Sequence, residues 1–141
     1  MRHLYGALQP RVAVPGGHLV GFDQSAYAPA TTTGMAGTGF LFVPQACEAA
    51  AAHCKVHVAL HGCLQSVESV GTKFTTDAGY NHWADANRIL VLYPQVDKSA
   101  ALSNRYGCWD WWGYTGPAYA YKSGAQMKAI MAMVKRLAQK P

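Results

Sequence analysis

A chain of 141 residues, half of them apolar, can bury one core and no more, which excludes both a multidomain protein and a disordered tail. Twelve Lys and Arg against seven Asp and Glu leave a net charge of +5, but the basic residues are scattered and gather only towards the C-terminus (Lys128, Lys135, Arg136, Lys140), whereas a nucleic-acid interface needs a clustered patch. No apolar run approaches a membrane span, and MRHLYGALQP holds none long enough for a signal peptide.

Residues 1–17 end in VPGG and carry little pattern beyond a helical remnant around Leu4 to Leu8. They are set apart as an irregular N-terminal segment, with one domain expected over 18–141. HLVGFDQ (18–24) and GFLFVP (39–44) predict strands, separated by a proline- and threonine-rich loop from Ala26 to Thr38. KVHVALHG (55–62) is the clearest strand: Val56, Val58 and Leu60 alternate with His57, Ala59 and His61, and Gly62 ends it. A helical region follows from about Thr72 to Asn87, where Phe74, Ala78, Tyr80, Trp83 and Ala84 recur at roughly helical spacing and Gly79 divides it in two. ILVLYP (89–94) is a short continuous apolar run closed by proline, the form of a strand buried on both faces. The last helix is predicted to begin near Ser123, with Met127, Ile130, Met131, Val134, Leu137 and Ala138 on one face and Lys128, Lys135 and Gln139 on the other. That face needs a sheet. The order of elements predicts an α/β layer architecture whose later strands run parallel through helical crossovers. There is no internal repeat, and the alanine patch at 49–52 is the one low-complexity stretch.

Charged residues make up 13% of the chain, about half the usual share, so much of the surface must be Gly, Ala, Ser, Thr and aromatic. Such a surface suits an extracellular protein or one that lacks a partner. Four cysteines allow three pairings. A hairpin-like closure between Cys47 and Cys54 fits the short alanine-rich connection and leaves Cys63 and Cys108, which would tie the loop after one strand to the tryptophan-rich segment. Both bridges together imply an oxidising compartment. With no export signal in the sequence, that points to part of a longer precursor.

Three stretches carry candidate chemistry. In HGC (61–63), a backbone that turns at a glycine after a strand can aim N–H groups into a cleft, as a developing oxyanion requires; the alternative is a tight turn with a structural cysteine. Cys54, His57, His61 and Cys63 invite a metal reading, but alternate residues on a strand stand 6 to 7 Å apart, roughly, and converge poorly on one ion, so no metal is expected. GCWDWWGYTG (107–116) is either a satellite core over the sheet edge or a flat apolar platform for a polymer, with carbohydrate stacking as a variant. If extended, it points Trp109 and Trp111 one way and Trp112 the other. A serine hydrolase of α/β type needs a Gly-x-Ser-x-Gly elbow. None is present: Ser25, Ser66, Ser69, Ser99, Ser103 and Ser123 all lack the flanking glycines. Asp85 and Asp110 are expected to hydrogen-bond locally rather than orient a base.

HLVGFDQS, TGFLFVPQAC, CKVHVALHGCLQS, GYNHWADANRILVLYPQ, GCWDWWGYTG and KSGAQMKAI closely resemble the C-terminal half of secreted poly(3-hydroxybutyrate) depolymerases, in the branch whose α/β-hydrolase order is circularly permuted. The resemblance runs from His3 onward. It implies a partial α/β-hydrolase-type sheet of about four to five strands with flanking helices. It implies also that the serine, aspartate and histidine of the family lie upstream, in a portion absent from this sequence, and that in an unpermuted order the serine strand would follow the last helix. Carried to matching positions, it makes the Cys63 N–H an oxyanion donor, Trp109, Trp111 and Trp112 substrate contacts, and Cys47, Cys54, Cys63 and Cys108 structural. It implies an extracellular setting, a polyhydroxyalkanoate substrate, no cofactor, no membrane or nucleic-acid partner, and a serine-bearing half as a possible partner. The expected function is an ester hydrolase of this family that is inactive alone. The alternative is a non-catalytic polyester-binding module using the tryptophan loop. A sheet cut at its middle also predicts self-association.

Overall fold

The computed structural model describes residues 1–49, 53–99 and 101–139 and, for Arg2, the backbone. Of the alanine patch only Ala49 is among these, and Lys140 lies outside the described residues. The chain runs α1 (Arg2–Tyr5), β1 (His18–Asp23), α2 (Ala30–Thr33), β2 (Thr38–Val43), a 3₁₀ turn (Gln45–Cys47), β3 (Lys55–Val58), α3 (Val67–Val70), α4 (Lys73–Asp77), α5 (Tyr80–Ala86), β4 (Ile89–Tyr93) and α6 (Ala125–Ala138). The strands form one sheet in the order β1-β2-β4-β3. β1 pairs β2 antiparallel with His18 opposite Val43, β2 pairs β4 antiparallel with Leu41 opposite Leu92, and β3 runs parallel to β4 with Val56 opposite Leu90. The crossover from β3 to β4 carries α3, α4 and α5, as a parallel pair requires.

The period-2 alternation sorts side chains onto two faces. Leu92, Leu41, Phe22, Val56 and Val58 pack with Ala129, Ile130, Met133, Val134 and Leu137 of α6. On the other face Phe42, Ala59, Ile89, Val91 and Tyr93 pack with Ala84 of α5, Phe74 and Tyr80. β4 is covered on both sides, which is why its sequence is apolar without interruption. The result is a sheet between two helical layers.

The structure corrects three expectations. The run KVHVALHG is a strand only over Lys55–Val58, because the chain leaves the sheet after one more bond, from the Ala59 N–H to the Leu92 carbonyl at 2.9 Å. The buried stripe of α6 is Gln126, Ala129, Ile130 and Met133, while Met127 and Met131 are 41% and 45% exposed. The helix is rotated from its most hydrophobic face because small Ala129 lets it approach the sheet, and because the Gln126 amide has buried partners described below. The helical region after β3 begins earlier than Thr72, with α3 at Val67–Val70. Gly79, at φ +81°, does separate α4 from α5, in a conformation that a side chain resists.

The N-terminal segment is irregular beyond α1 yet tied down. Val12 N–H donates to the His82 carbonyl at 3.1 Å and the His82 imidazole meets the Val12 carbonyl at 3.0 Å. Asn87 exchanges hydrogen bonds with the Gln9 backbone. Asp85 accepts from the Gly16 N–H at 2.9 Å, so its partner is distant in sequence rather than local as expected. Two buried glutamines lock the far end of the sheet: Gln24 donates to the Ala36 and Gln95 carbonyls and accepts from the Gln95 N–H, and Gln95 accepts from the Val67 N–H.

Leu92, 1% exposed at the centre of the α6 face, tests this layering. Leu92→Ala is expected to cost about 2–5 kcal/mol through lost burial and the cavity left behind. A urea titration should show a lower midpoint at an unchanged slope; a loss under 1 kcal/mol, roughly, would mean that α6 does not seal this face.

Candidate functional site

Past Ala59 the chain emerges at Leu60, 49% exposed, and turns at once. Gly62 N–H donates to Gln65 Oε1 at 2.9 Å and Gln65 N–H returns to the Gly62 carbonyl at 3.1 Å. Leu64 sits at φ +59°, a left-handed conformation costly for a side chain, and its N–H donates to the Tyr106 carbonyl at 2.7 Å. Between them Cys63 is bonded to Cys108, with Cα atoms 4.3 Å apart. Cys63 is exposed, and among the described residues nothing accepts from its N–H. The turn thus fixes one backbone donor that no described residue uses.

His61, 3% exposed, pins this turn. Its Nδ1 lies 2.7 Å from the Gly62 carbonyl, and its Nε2 lies 3.1 Å from the Val96 N–H. Since the Val96 amide can only donate, Nε2 must accept, so the ring is neutral and its proton is on Nδ1. Burial against Phe74 and Trp109 pushes its pKa below the ordinary 6.5, with the Gly62 carbonyl pulling partly back. The pin therefore joins the ends of two parallel strands, β3 and β4.

The tryptophan segment is not extended, and the expected facing of its side chains changes with that. Asp110 gathers the N–H groups of Trp112, Gly113, Tyr114 and Thr115 and the Thr115 hydroxyl, at 2.6 to 3.2 Å. Burial raises this carboxyl's pKa, but the bonds from Thr115, Gly113 and Tyr114 outweigh it and hold the group below the ordinary carboxylate range. The curl separates the indoles. Trp109 packs against His61 and the α6-side core, with a buried Nε1 that has no described partner. Trp111, 70% exposed, and Trp112, 39% exposed, meet each other edge to face at 5.2 Å. Beside them lies an open groove lined by Leu102, Ser103, Trp112 and Tyr114.

Residues that composition and motifs did not single out hold the segment in place. Asn104 brackets Cys108, accepting from its N–H and donating to its carbonyl, both at 2.9 Å. The Tyr114 hydroxyl donates to the Cys108 carbonyl and accepts from Asn104 and Gln126; burial, then the Asp110 charge, drives its pKa up to about 12 against the effect of those two bonds. Gln126 of α6 accepts from the Asp110 N–H and donates to the Thr33 carbonyl. Asp110 bonds within its own segment as expected, beginning with the N–H two residues on, which is the habit of an aspartate side chain in a turn.

The remaining expected residues lie elsewhere. Cys47 is bonded to Cys54, with Cα atoms 6.1 Å apart. His57 meets the Tyr5 hydroxyl at 3.1 Å on the opposite face from Val56, so the Cys54, His57, His61 and Cys63 side chains are each engaged separately. Among the described residues no serine hydroxyl is hydrogen-bonded to an imidazole: Ser25 donates to Asp23, Ser99 accepts from Leu102, and the buried Ser66 and Ser69 hydroxyls have no partner. No described helix is long and apolar enough to cross a membrane.

The fold and this turn define part of an α/β-hydrolase-type sheet. The poly(3-hydroxybutyrate) depolymerase of Delftia acidovorans is 48% identical over 140 residues, which is 97% of this chain and 27% of the relative. The polyhydroxybutyrate depolymerase of Talaromyces funiculosus is 42% identical over 147 residues, 97% of this chain and 43% of the relative. The crystal structure of PHB depolymerase from Penicillium funiculosum superposes with a TM-score of 0.89 at 42% identity, over 95% of this chain and 45% of that one. A serine-to-alanine variant of PHB depolymerase, complexed with an R3HB trimer, superposes at 0.90 with 42% identity, over 96% and 45%. No family model matches the chain. It spans less than half the length of these relatives and, over the part it spans, is similar to the poly(3-hydroxybutyrate) depolymerases.

The His61 pin sets a pH dependence. Its folded pKa lies below its unfolded value, so the unfolded chain takes up the proton first; the stability of the neutral ring is complete above about pH 6.5 and is lost as pH falls towards the depressed folded value. His57 is shifted the same way, by burial and then by the N-terminal ammonium, and adds to that window. Melting temperatures measured from pH 7.5 down to 5 should fall, and His61→Gln should flatten part of the slope; an unaltered slope would remove the pin. Asp110 works at lower pH: its folded pKa is depressed, so its contribution is present above about 3.9 and lost as pH falls through the folded value. Asp110→Ala is expected to cost about 1–3 kcal/mol and to raise Trp111 and Trp112 fluorescence quenching by iodide. Wild-type stability and quenching in the variant would show that the loop is held by other contacts.

Proposed function

We propose that this chain supplies the oxyanion-holding and aromatic side of an ester-cleaving cleft, acting on a polyhydroxyalkanoate in an oxidising, extracellular setting. The observation that carries it is the N–H of the exposed residue Cys63, without an acceptor among the described residues, on a turn fixed by a disulfide, an imidazole and the Tyr106 carbonyl. In the reaction a serine oxygen, from a polypeptide segment outside this sequence, attacks the ester carbonyl while a base on that segment takes the hydroxyl proton, and the C=O electron pair moves onto the carbonyl oxygen. Cys63 N–H and a second donor beside the nucleophile hold that oxygen until the pair returns, the C–O bond to the alcohol breaks and the base passes the proton to the leaving oxygen. The relatives' names and the R3HB trimer complexed with one of them support the substrate class. Trp111 and Trp112 offer flat exposed faces to such a chain, while Trp109 packs inward beside the ring of His61. The exposed indole pair equally favours a second reading, a polyester-binding module without turnover.

The chain alone should not hydrolyse p-nitrophenyl butyrate; turnover abolished by a serine-directed phosphonate would refute this. It should sediment with polyhydroxybutyrate granules, with retention falling several-fold in Trp111→Ala and Trp112→Ala. Joined to the remaining part of the Talaromyces funiculosus relative, it should hydrolyse the ester. There Cys63→Pro with Cys108→Ala lacks the amide proton, whereas Cys63→Ala with Cys108→Ala keeps it, and kcat should differ by about 10²–10³. Granule binding with no turnover in the joined protein would leave only the binding module.

A further inference from the structure

Strand β1 ends the sheet on the side away from β3, and its outer edge is bare. The Gln24 N–H donates to the Gly37 carbonyl at 2.7 Å, which continues the β1–β2 register by one pair. Antiparallel ladders alternate, so His18, Val20 and Phe22 also spend their N–H and C=O groups on β2, while Leu19, Gly21 and Asp23 turn theirs outwards. Among the described residues nothing bonds to these outward groups. Edges of this kind are commonly guarded by a bulge, a proline or a lysine. β1 pairs through six consecutive residues without a bulge, and HLVGFD holds neither proline nor lysine. Val20, 39% exposed, also lines an apolar groove of about 150 Å³ on the α6 side of the strand, with Phe22, Tyr27, Leu41, Met133 and Leu137. We infer that this edge pairs with the β1 edge of a second copy of the chain, antiparallel and centred on Gly21.

The strand is complementary to itself in that register. Gly21 stands opposite Gly21, and Leu19 opposite Asp23 at both ends, so all three outward residues form hydrogen-bonded pairs. The positions between are non-hydrogen-bonded pairs, where side chains come closest, and there Val20 meets Phe22 of the second copy, once on each side of the two-fold axis. A β-branched side chain against an aromatic one is a favourable cross-strand pair, and this one puts the second copy's Phe22 at the rim of the groove that Val20 lines. On the other face the absence of a side chain at Gly21 clears the axis: Phe40 of β2 leans over it, with its Cε1 3.8 Å from where a Cβ would stand. Neighbouring registers fail. Centring on Asp23 would set two carboxylates opposite each other, and centring on Leu19 would set Asp23 opposite Pro15, which has no N–H to give. The axis stands normal to the joined sheet, so the two turns at 61–63 lie at its opposite ends and stay clear of the contact. Six residues a side make a small interface, which sets the affinity in the micromolar range.

Sedimentation equilibrium of the chain between about 5 and 500 μM should show a monomer passing into a dimer and nothing larger, because a two-fold contact closes on itself. Amide hydrogen exchange read residue by residue should slow about 10-fold at Leu19, Gly21 and Asp23 from the lower to the higher concentration, while Val20 and Phe22, bonded to β2, stay slow at both. Val20→Lys alters an exposed side chain and should raise the dissociation constant at least 10-fold, roughly, without changing Tm, whereas Val20→Ile should keep the dimer. Gly21→Pro removes an N–H that faces solvent in the monomer, where an edge strand tolerates proline, and should give a folded monomer. A Gly21→Pro chain that fails to fold would mean that this N–H is spent on β2, and would overturn the register. A monomer at the highest concentration, an open-ended oligomer, or a dimer that gains its protection elsewhere and survives Val20→Lys would overturn the inference.

Discussion

A single neutral imidazole joins the two strand ends on which the turn at 61–63 rests. His61 Nε2 accepts from the Val96 N–H beyond β4, and its Nδ1–H donates to the Gly62 carbonyl in the turn beyond β3. Either bond alone would fix one loop. Together, on a ring wedged between Phe74 and Trp109, they fix one loop against the other. A protonated ring would set a second N–H against the Val96 amide, so the arrangement depends on a histidine that burial keeps uncharged.

The tryptophan segment follows from that point by covalent and polar steps. The Cys63–Cys108 bond carries the constraint across, Asn104 clasps both sides of Cys108, and Tyr114 closes on the Cys108 carbonyl. Asp110 then uses its charge on the segment's own backbone, with five donors on one carboxylate. A loop whose amides are satisfied from within can afford two indoles in solvent without collapsing them onto the core. Gln126 accounts for the rotation of α6, since a helix turned to bury Met127 and Met131 would carry this amide away from Asp110, Thr33 and Tyr114.

Much of the architecture was legible in the residues. Alternation in HLVGFD and KVHV, the unbroken ILVLY and the Gly79 break all report burial on a regular lattice, which local sequence encodes. What escaped was set by partners far along the chain. His61 read as one of four metal-type side chains in a row because nothing in its neighbourhood announces the Val96 amide, 35 residues on. Asp85 read as locally bonded, and holds Gly16, 69 residues back. The α6 stripe was misplaced because hydrophobicity ranks methionine above glutamine, while three hydrogen bonds, one buried and two part-buried, rank them the other way here. Cysteine pairing followed the closure drawn from spacing, with Cys47 to Cys54 and Cys63 to Cys108.

An electrostatic donor is most effective when it needs no reorganisation as charge develops. The Cys63 amide, proposed above as such a donor, is held from within the chain: a disulfide, an imidazole, a backbone bond to Tyr106 and a left-handed Leu64 all act from described residues. The support of this turn is covalent and hydrogen-bonded at once, so it keeps its shape without any rearrangement of its own.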